Sequence, residues 1–209
     1  MKKKETLCLA IDTTTDDTTV ACSNLTSYIV VQKNTSHEQG EILMDMIQRA
    51  LNGINKKATD LTLIAVTVGP GSFTGVRIGL ATAKALGLAL NCPVVGVDNF
   101  TASAYQLEQP VKVVLDSKRD DYFTQDFDAK GKAKGAPTIK AAKNLKKEMP
   151  FTACGSGAQK LSQEIKCHNC KMTYPLALSA AQIALTQPKK TCPAQPLYLR
   201  EADVTLPRH

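Results

Sequence analysis

Apolar residues along this chain follow two different periods, and the change from one to the other marks the elements. Short apolar runs at residues 7–11, 18–22 and 28–31 predict three strands joined by tight turns, an antiparallel meander. Then Ile42, Leu43, Met46, Ile47, Ala50, Leu51 and Ile54 recur at helical spacing, with Ser36-x-x-Gln39 as a capping box and Gly53 near the end. Residues 61–68 form a second buried run, followed by a glycine-rich turn, an Ala/Leu-rich helix reaching Leu90, and a strand at 93–98. The order strand-strand-strand-helix-strand-helix-strand mixes a meander with right-handed crossovers, so it predicts a mixed sheet covered by helices.

The second half follows the same logic with weaker signals. Strands are expected at 111–116 and 122–128, then a Lys-rich connector holding Gly131 and Gly135, an amphipathic piece at 141–149, and a strand at 151–154 before Gly155-Ser156-Gly157. A strand ending in aspartate opens each half, at Asp12 and at Asp116. Two related α/β lobes are expected, residues 1–105 and 106–209.

Composition narrows the class. With 43% apolar residues in 209, the chain has material for a core, and its 22 Gly and Pro are an ordinary share, so disorder and collagen are excluded. The apolar runs are shorter than the ~20 residues of a membrane span, and the Lys2-Lys3-Lys4 start lacks a leader's apolar core, so a cytoplasmic protein is expected. Seven cysteines, an odd number spread along the chain, read as reduced thiols. Cys167-His168-Asn169-Cys170 is the one pair with metal or redox spacing, and a second ligand pair is missing, so no metal is expected.

Charge is divided unevenly. Residues 1–110 hold 9 Lys+Arg against 10 Asp+Glu, net −1; residues 111–209 hold 17 against 9, net +8. Lys130, Lys132, Lys134, Lys140, Lys143, Lys146 and Lys147 make either a solvated face or a field that attracts a nucleic-acid backbone. Ten Phe and Tyr with no Trp argue against a base-stacking platform.

The most informative segment is Gly69-Pro70-Gly71-Ser72-Phe73-Thr74-Gly75 between strand and helix. Backbone N–H groups and the helix dipole make such a place an anion site, with Gly69, Gly71, Ser72 and Gly75 as its contacts; a turn without ligand is the alternative. In the helix that follows, Gly75, Gly79, Ala83 and Gly87 fall four apart and leave one stripe almost bare, at about 1 kcal/mol per interior glycine. Something must approach closely, either a partner or this chain's own core. The candidate partner surface comprises Ile42, Leu43, Met46, Ile47 and Ala50 with Phe73, Val76, Arg77, Gly79, Leu80, Ala83 and Lys84. The three histidines, His37, His168 and His209, offer no triad or metal pair.

With these segments together the chain resembles the TsaB (YeaZ) family of bacterial tRNA threonylcarbamoyladenosine synthesis. The resemblance rests on residues 9–15, on Ser36-His37-Glu38, on Val68 and the glycine-rich turn through Arg77 to Gly79, on Val95-Gly96-Val97, on residues 115–119, and on Pro196-Leu197-Tyr198-Leu199-Arg200. It implies the actin-like (ASKHA, ribonuclease H-like) fold in two lobes, and a scaffold subunit that holds the catalytic subunit TsaD through the first two helices. The ATPase TsaE would dock on that pair and no cofactor is expected; whether the isolated chain forms a homodimer through the same helices, and whether ADP or ATP sits at the subunit boundary near Gly69–Gly75, stay open. The metal-binding His-x-x-x-His of TsaD aligns with Asn99 and Ser103 here, so no metal and no catalysis of its own are expected. An independent enzyme is the alternative: an ATP-dependent kinase built on Asp12, Asp116 and Gly155-Ser156-Gly157, or an M22-type peptidase. The basic half would contact tRNA weakly or indirectly.

Overall fold

A computed structural model describes residues 6–34 and 38–200. The first sheet contains β1 (Cys8–Asp12), β2 (Asp17–Ser23), β3 (Tyr28–Asn34), β4 (Leu63–Thr67) and β5 (Val94–Val97) in the order β3-β2-β1-β4-β5. The first three pair antiparallel and β4 and β5 add parallel, as the crossovers require. Helices α1 (Gln39–Gly53) and α2 (Phe73–Leu90) supply those crossovers. Residue alternation along β1 sorts the two faces. Leu7, Leu9 and Ile11 join Leu43, Met46, Ile47, Val76 and Leu80 in one cluster, whereas Cys8 and Ala10 face an Ala-rich helix, α6 (Leu176–Thr186), in another.

The second sheet contains β6 (Val111–Asp116), β7 (Asp121–Phe127), β8 (Ala133–Ala141), β9 (Thr152–Cys154) and β10 (His168–Cys170), ordered β10-β9-β6-β7-β8. Read from β8, it repeats the first sheet: a three-stranded meander, then two parallel strands. Its helices are short, α4 (Ala142–Lys146) and α5 (Ala158–Ile165). The mixed-sheet, two-lobe α/β architecture expected from sequence is present.

Several elements differ from expectation. The Lys-rich connector is largely strand β8, pairing with β7 across an irregularity between Thr124 and Asp126; Gly135, at φ +83°, sits in this stretch. The pairing is non-local, and Lys, Gly and Pro concealed it. α3 (Asn99–Ser103), α5, β10 and α6 were not anticipated. α6 is buried nearly all round, so it has no polar face to give it a stripe. Ser36 of the expected capping box lies outside the described residues; α1 begins at Gln39 with Glu38 as its cap.

The chain end crosses the expected division at 105/106. α6 packs on the first sheet, Cys192 exchanges backbone hydrogen bonds with Gly96 (2.7 and 2.9 Å), and Leu197 N donates to Val68 O at 2.8 Å. Arg200 then pairs with Asp121 of the second lobe. The 18-residue α2 has a mean hydropathy of 1.3, long and apolar enough by composition to cross a membrane; here its buried stripe seals the first sheet.

Candidate functional site

The turn before α2 is held from three directions. Gly69-Pro70 is a cis peptide and Gly69 has φ +96°. Ser72 Oγ caps α2, accepting from Gly75 N at 3.2 Å, and Ser72 N donates to Thr14 O at 2.8 Å. Asn99 N donates to Gly69 O (2.8 Å), and Asn99 Nδ2 donates to Pro70 O (3.0 Å) and Thr14 Oγ1 (2.6 Å). Thr14 in turn is fixed by Asp12, whose Oδ1 accepts from Thr14 N (3.1 Å), Thr14 Oγ1 (2.6 Å) and Thr67 Oγ1 (2.6 Å). Burial pushes the Asp12 carboxyl above its ordinary range, and these hydrogen bonds oppose that shift.

This geometry bears on two readings that the sequence leaves open. A Cβ on Gly71 would lie 2.5 Å from Thr14 O, and one on Gly75 would lie 1.9 Å from Thr13 O. The Thr13–Thr14 turn therefore packs directly on Gly71 and Gly75, and it takes up Ser72 N, while Gly75 N is taken up by Ser72 Oγ. Likewise a Cβ on Gly79 would meet Thr13 Oγ1 at 2.6 Å, and one on Gly87 would meet Val94 Cγ2 at 2.3 Å. The bare stripe admits this chain's own turn and sheet, so the close approach is intramolecular.

The expected partner surface splits accordingly. Leu43, Met46, Ile47, Ala50, Val76, Gly79, Leu80 and Ala83 are buried in the isolated chain, and Ile42 is half-buried against the same core; they seal the sheet and cannot themselves meet a partner without repacking. Phe73, Arg77 and Lys84 remain outside. With them on α2 stand Ala81, Ala85, Ala89 and Leu88, the last 87% exposed, giving the helix an outward face that is mostly small and apolar; Met44 is exposed on α1. Arg77 lies 3.8 Å over the Phe73 ring, Tyr198 packs on Phe73 with centroids 5.0 Å apart, and Arg77 Nε donates to Tyr198 Oη at 3.3 Å. Tyr198 was not among the expected residues; its place in the distinctive terminal Tyr-Leu-Arg run was the available signal.

Between the lobes lies a cleft of about 1100 Å³, lined by Asp12, Asp16 and Asp17 on one side and by Gly155, Gln159 and Asn169 on the other. Lys118 Nζ spans the lobes to Asp16 at 2.6 Å, and Asp116 receives both Lys118 (3.6 Å) and Lys160 (3.5 Å). The carboxylates expected to serve a kinase are thus engaged: Asp12 by threonines and Asp116 by lysines. Gly157 packs on the end of β6, where a Cβ would lie 3.0 Å from Asp116 N. Asn99 and Ser103 are both buried on α3, and Asn99 Oδ1 and Ser103 Oγ find no hydrogen-bond partner among the described residues.

Cys167 and Cys170 sit in the clusters on opposite faces of the second sheet, so they do not converge on one ion. Among the described residues no three His, Cys, Asp or Glu side chains gather as metal ligands. Of the lysines singled out, Lys140 is paired with Glu148 at 2.5 Å, Lys143 and Lys146 project from α4 next to Lys147, and Lys130, Lys132 and Lys134 lie along the β7–β8 hairpin.

Known proteins match this chain, several of them over most of its length. The family described as TsaD, tRNA N6-adenosine threonylcarbamoyltransferase, matches residues 22–194. An uncharacterized protein of Mycobacterium tuberculosis (strain ATCC 25618 / H37Rv) is 29% identical over 198 residues, 93% of this chain and 92% of its own. The tRNA threonylcarbamoyladenosine biosynthesis protein TsaB of Escherichia coli (strain K12) is 35% identical over 96 residues, 46% of this chain and 42% of its own. In structure, YeaZ from Pseudomonas aeruginosa shares the fold at a TM-score of 0.77 and 21% identity, covering 93% of this chain and 100% of that one.

Proposed function

The chain belongs to the family of the tRNA N6-adenosine threonylcarbamoyltransferase TsaD, among its TsaB (YeaZ) relatives, and from that premise we propose that it is a scaffold subunit in tRNA threonylcarbamoyladenosine synthesis without catalysis of its own. Its partner is the transferase subunit TsaD, with the ATPase TsaE docking on the pair, in the cytoplasm. The observation that carries the reading is the outward face of α2, where Leu88 is 87% exposed beside Ala81, Ala85 and Ala89 and the Phe73–Arg77–Tyr198 stack closes one end. Exposed apolar area of this kind on a stable helix favours a protein partner, and the clustered arginine and aromatics are the residue types that anchor interfaces. The engagement of Asp12 Oδ1 by Thr14 and Thr67, and of Asp116 by Lys118 and Lys160, supports the non-catalytic part, since these contacts would compete with a nucleotide's metal.

Mixing the chain with TsaD and weighing the product tests the reading, with threonylcarbamoyl transfer to tRNA as the second readout. Wild type should form a heterodimer and support transfer, and Leu88→Arg should prevent both while melting as wild type does. A Leu88→Arg complex of unchanged mass and activity would remove α2 as the interface. Gly79→Leu is an unsuitable probe, because its side chain would collide with Thr13 inside the same lobe. ATP turnover or tRNA modification by the isolated chain at an enzymatic rate would favour the independent-kinase reading instead.

A further inference from the structure

Apart from the interlobe cleft, a second cavity of about 410 Å³ opens between the turn after α3, the tip of the β7–β8 hairpin and the 3₁₀ turn Pro188–Lys190 that follows α6. Two lysines from distant parts of the sequence, Lys130 and Lys190, line it, with Tyr105, Gln106 and Gln187 beside them and one acidic residue, Glu108; Gln106 Nε2 donates to Tyr105 Oη at 3.4 Å. Lys132 and Lys189 are the nearest further cations in sequence. The hairpin tip is fixed rather than loose: Asp128 Oδ1 accepts from Lys130 N (2.9 Å) and Lys132 N (3.0 Å), and Gly131 N donates to Asp128 O (2.9 Å). Asp128 is thereby engaged with backbone amides. Lys190 Nζ donates to Gly131 O at 3.2 Å, which ties the 3₁₀ turn to the hairpin and holds its ammonium at the cavity. On the opposite wall Gln106 is a non-glycine residue at φ +55°, and its carbonyl accepts from Thr173 Oγ1 at 3.1 Å.

We propose that this cavity seats one ribose-phosphate unit of an RNA strand, the phosphate between Lys130 and Lys190 and the ribose hydroxyls on the amides of Gln106 and Gln187. Its volume falls in the range of roughly 300–1,000 Å³ typical of small-ligand sites. Paired ammonium groups favour phosphate, and amides beside them favour a sugar with hydroxyls, above all the 2′-hydroxyl that distinguishes RNA from DNA. The choice of RNA over another polyanion rests on the role proposed above, whereas the site is separate from the α2 face.

The test uses the full chain, alone and with TsaD, and measures binding of an unmodified tRNA transcript and of DNA of the same sequence by fluorescence anisotropy over a range of salt. Lys130→Glu with Lys190→Glu should lower tRNA affinity at least about tenfold and reduce the log–log salt slope by about 1–2. All residues changed are exposed, and an unchanged melting temperature confirms folding. Lys143→Glu with Lys146→Glu, on α4, should alter affinity less than about threefold, and wild type should prefer RNA. Equal losses from both pairs would mean a diffuse lysine field, and equal binding of RNA and DNA would mean a bare anion site; either overturns the proposal, as does an absence of tRNA binding by wild type. Loss of the TsaD complex with tRNA binding intact would instead overturn the scaffold reading and leave this site standing.

Discussion

The two lobes share one strand order and differ in nearly everything laid upon it. In the first, 15- and 18-residue helices cover one face of the sheet and α6 covers the other, so large residues of β1 meet α1 and α2 while small ones admit α6. In the second, β9 and β10 have three residues each, α4 has five and α5 eight, and the core divides into two small clusters. Charge follows the same division, close to neutral in the first half and net +8 in the second. The difference teaches that a repeated topology does not repeat a role. The first lobe uses its burial to hold a rigid helical face, and the second presents lysines on short elements and hairpins.

The largest expected effect contrasts two glycines. Gly75→Ala places a methyl group where Thr13 O lies 1.9 Å away, so it should cost about 3 kcal/mol or prevent folding, as severe overpacking does. Gly135→Ala in the second lobe meets nothing within 4 Å and should cost only the left-handed backbone penalty, about 1–2 kcal/mol. Denaturation midpoints of the two variants decide it, and similar losses would erase the contrast.

Next come the two aspartates that end the opening strands. Asp12→Ala leaves Thr14 N and the hydroxyls of Thr14 and Thr67 without their acceptor, an expected loss of about 3 kcal/mol. Asp116→Ala, whose lysine partners are half-exposed, should cost about 1 kcal/mol or less. Asp12 also sets a pH dependence. Its folded-state carboxyl titrates above its unfolded value of about 3.9, so its stabilising contribution is complete below that pH and is lost as pH rises through the folded value. Asp12→Asn removes this titration, and the stability of the variant relative to wild type should therefore rise with pH above about 4. A difference that stays flat with pH would show that Asp12 is not held in its buried site.

The smallest effect concerns the link between lobes. Lys118→Ala breaks an exposed bridge to Asp16, and it should change stability by less than about 1 kcal/mol, with the change shrinking at high salt. Thermal melts at low and high salt measure it. Tyr198→Phe is the matching surface change. It removes one hydrogen bond from Arg77 while keeping the ring on Phe73, and should weaken TsaD association without altering the melt.

Legibility from sequence followed the strength of the local period. β1 to β5, α1 and α2 were readable because alternating and helical patterns were long enough to fix both type and face. β8 was hidden by Lys134, Gly135 and Pro137, residues that locally favour loops and are strand only because β7 runs alongside. α6 was hidden for the opposite reason: Leu176–Thr186 is mostly apolar and buried nearly all round, and nothing in it indicates which two surfaces it fills. The site divided in the same way. The glycine-rich turn and its helix were legible, and so was the need for a close approach.

Sequence alone determined the meander-and-crossover order, the turn at 69–75, the bare stripe of α2 and the charge division, because each is a local spacing or a count. Only the tertiary structure decided that Thr13 and the first sheet fill that stripe, that Tyr198 returns across 121 residues to Arg77, and that Lys130 and Lys190 share one cavity. A side chain missing from a helix face states that some surface must come close. Which surface comes is set by the path of the whole chain, and no local pattern encodes that path.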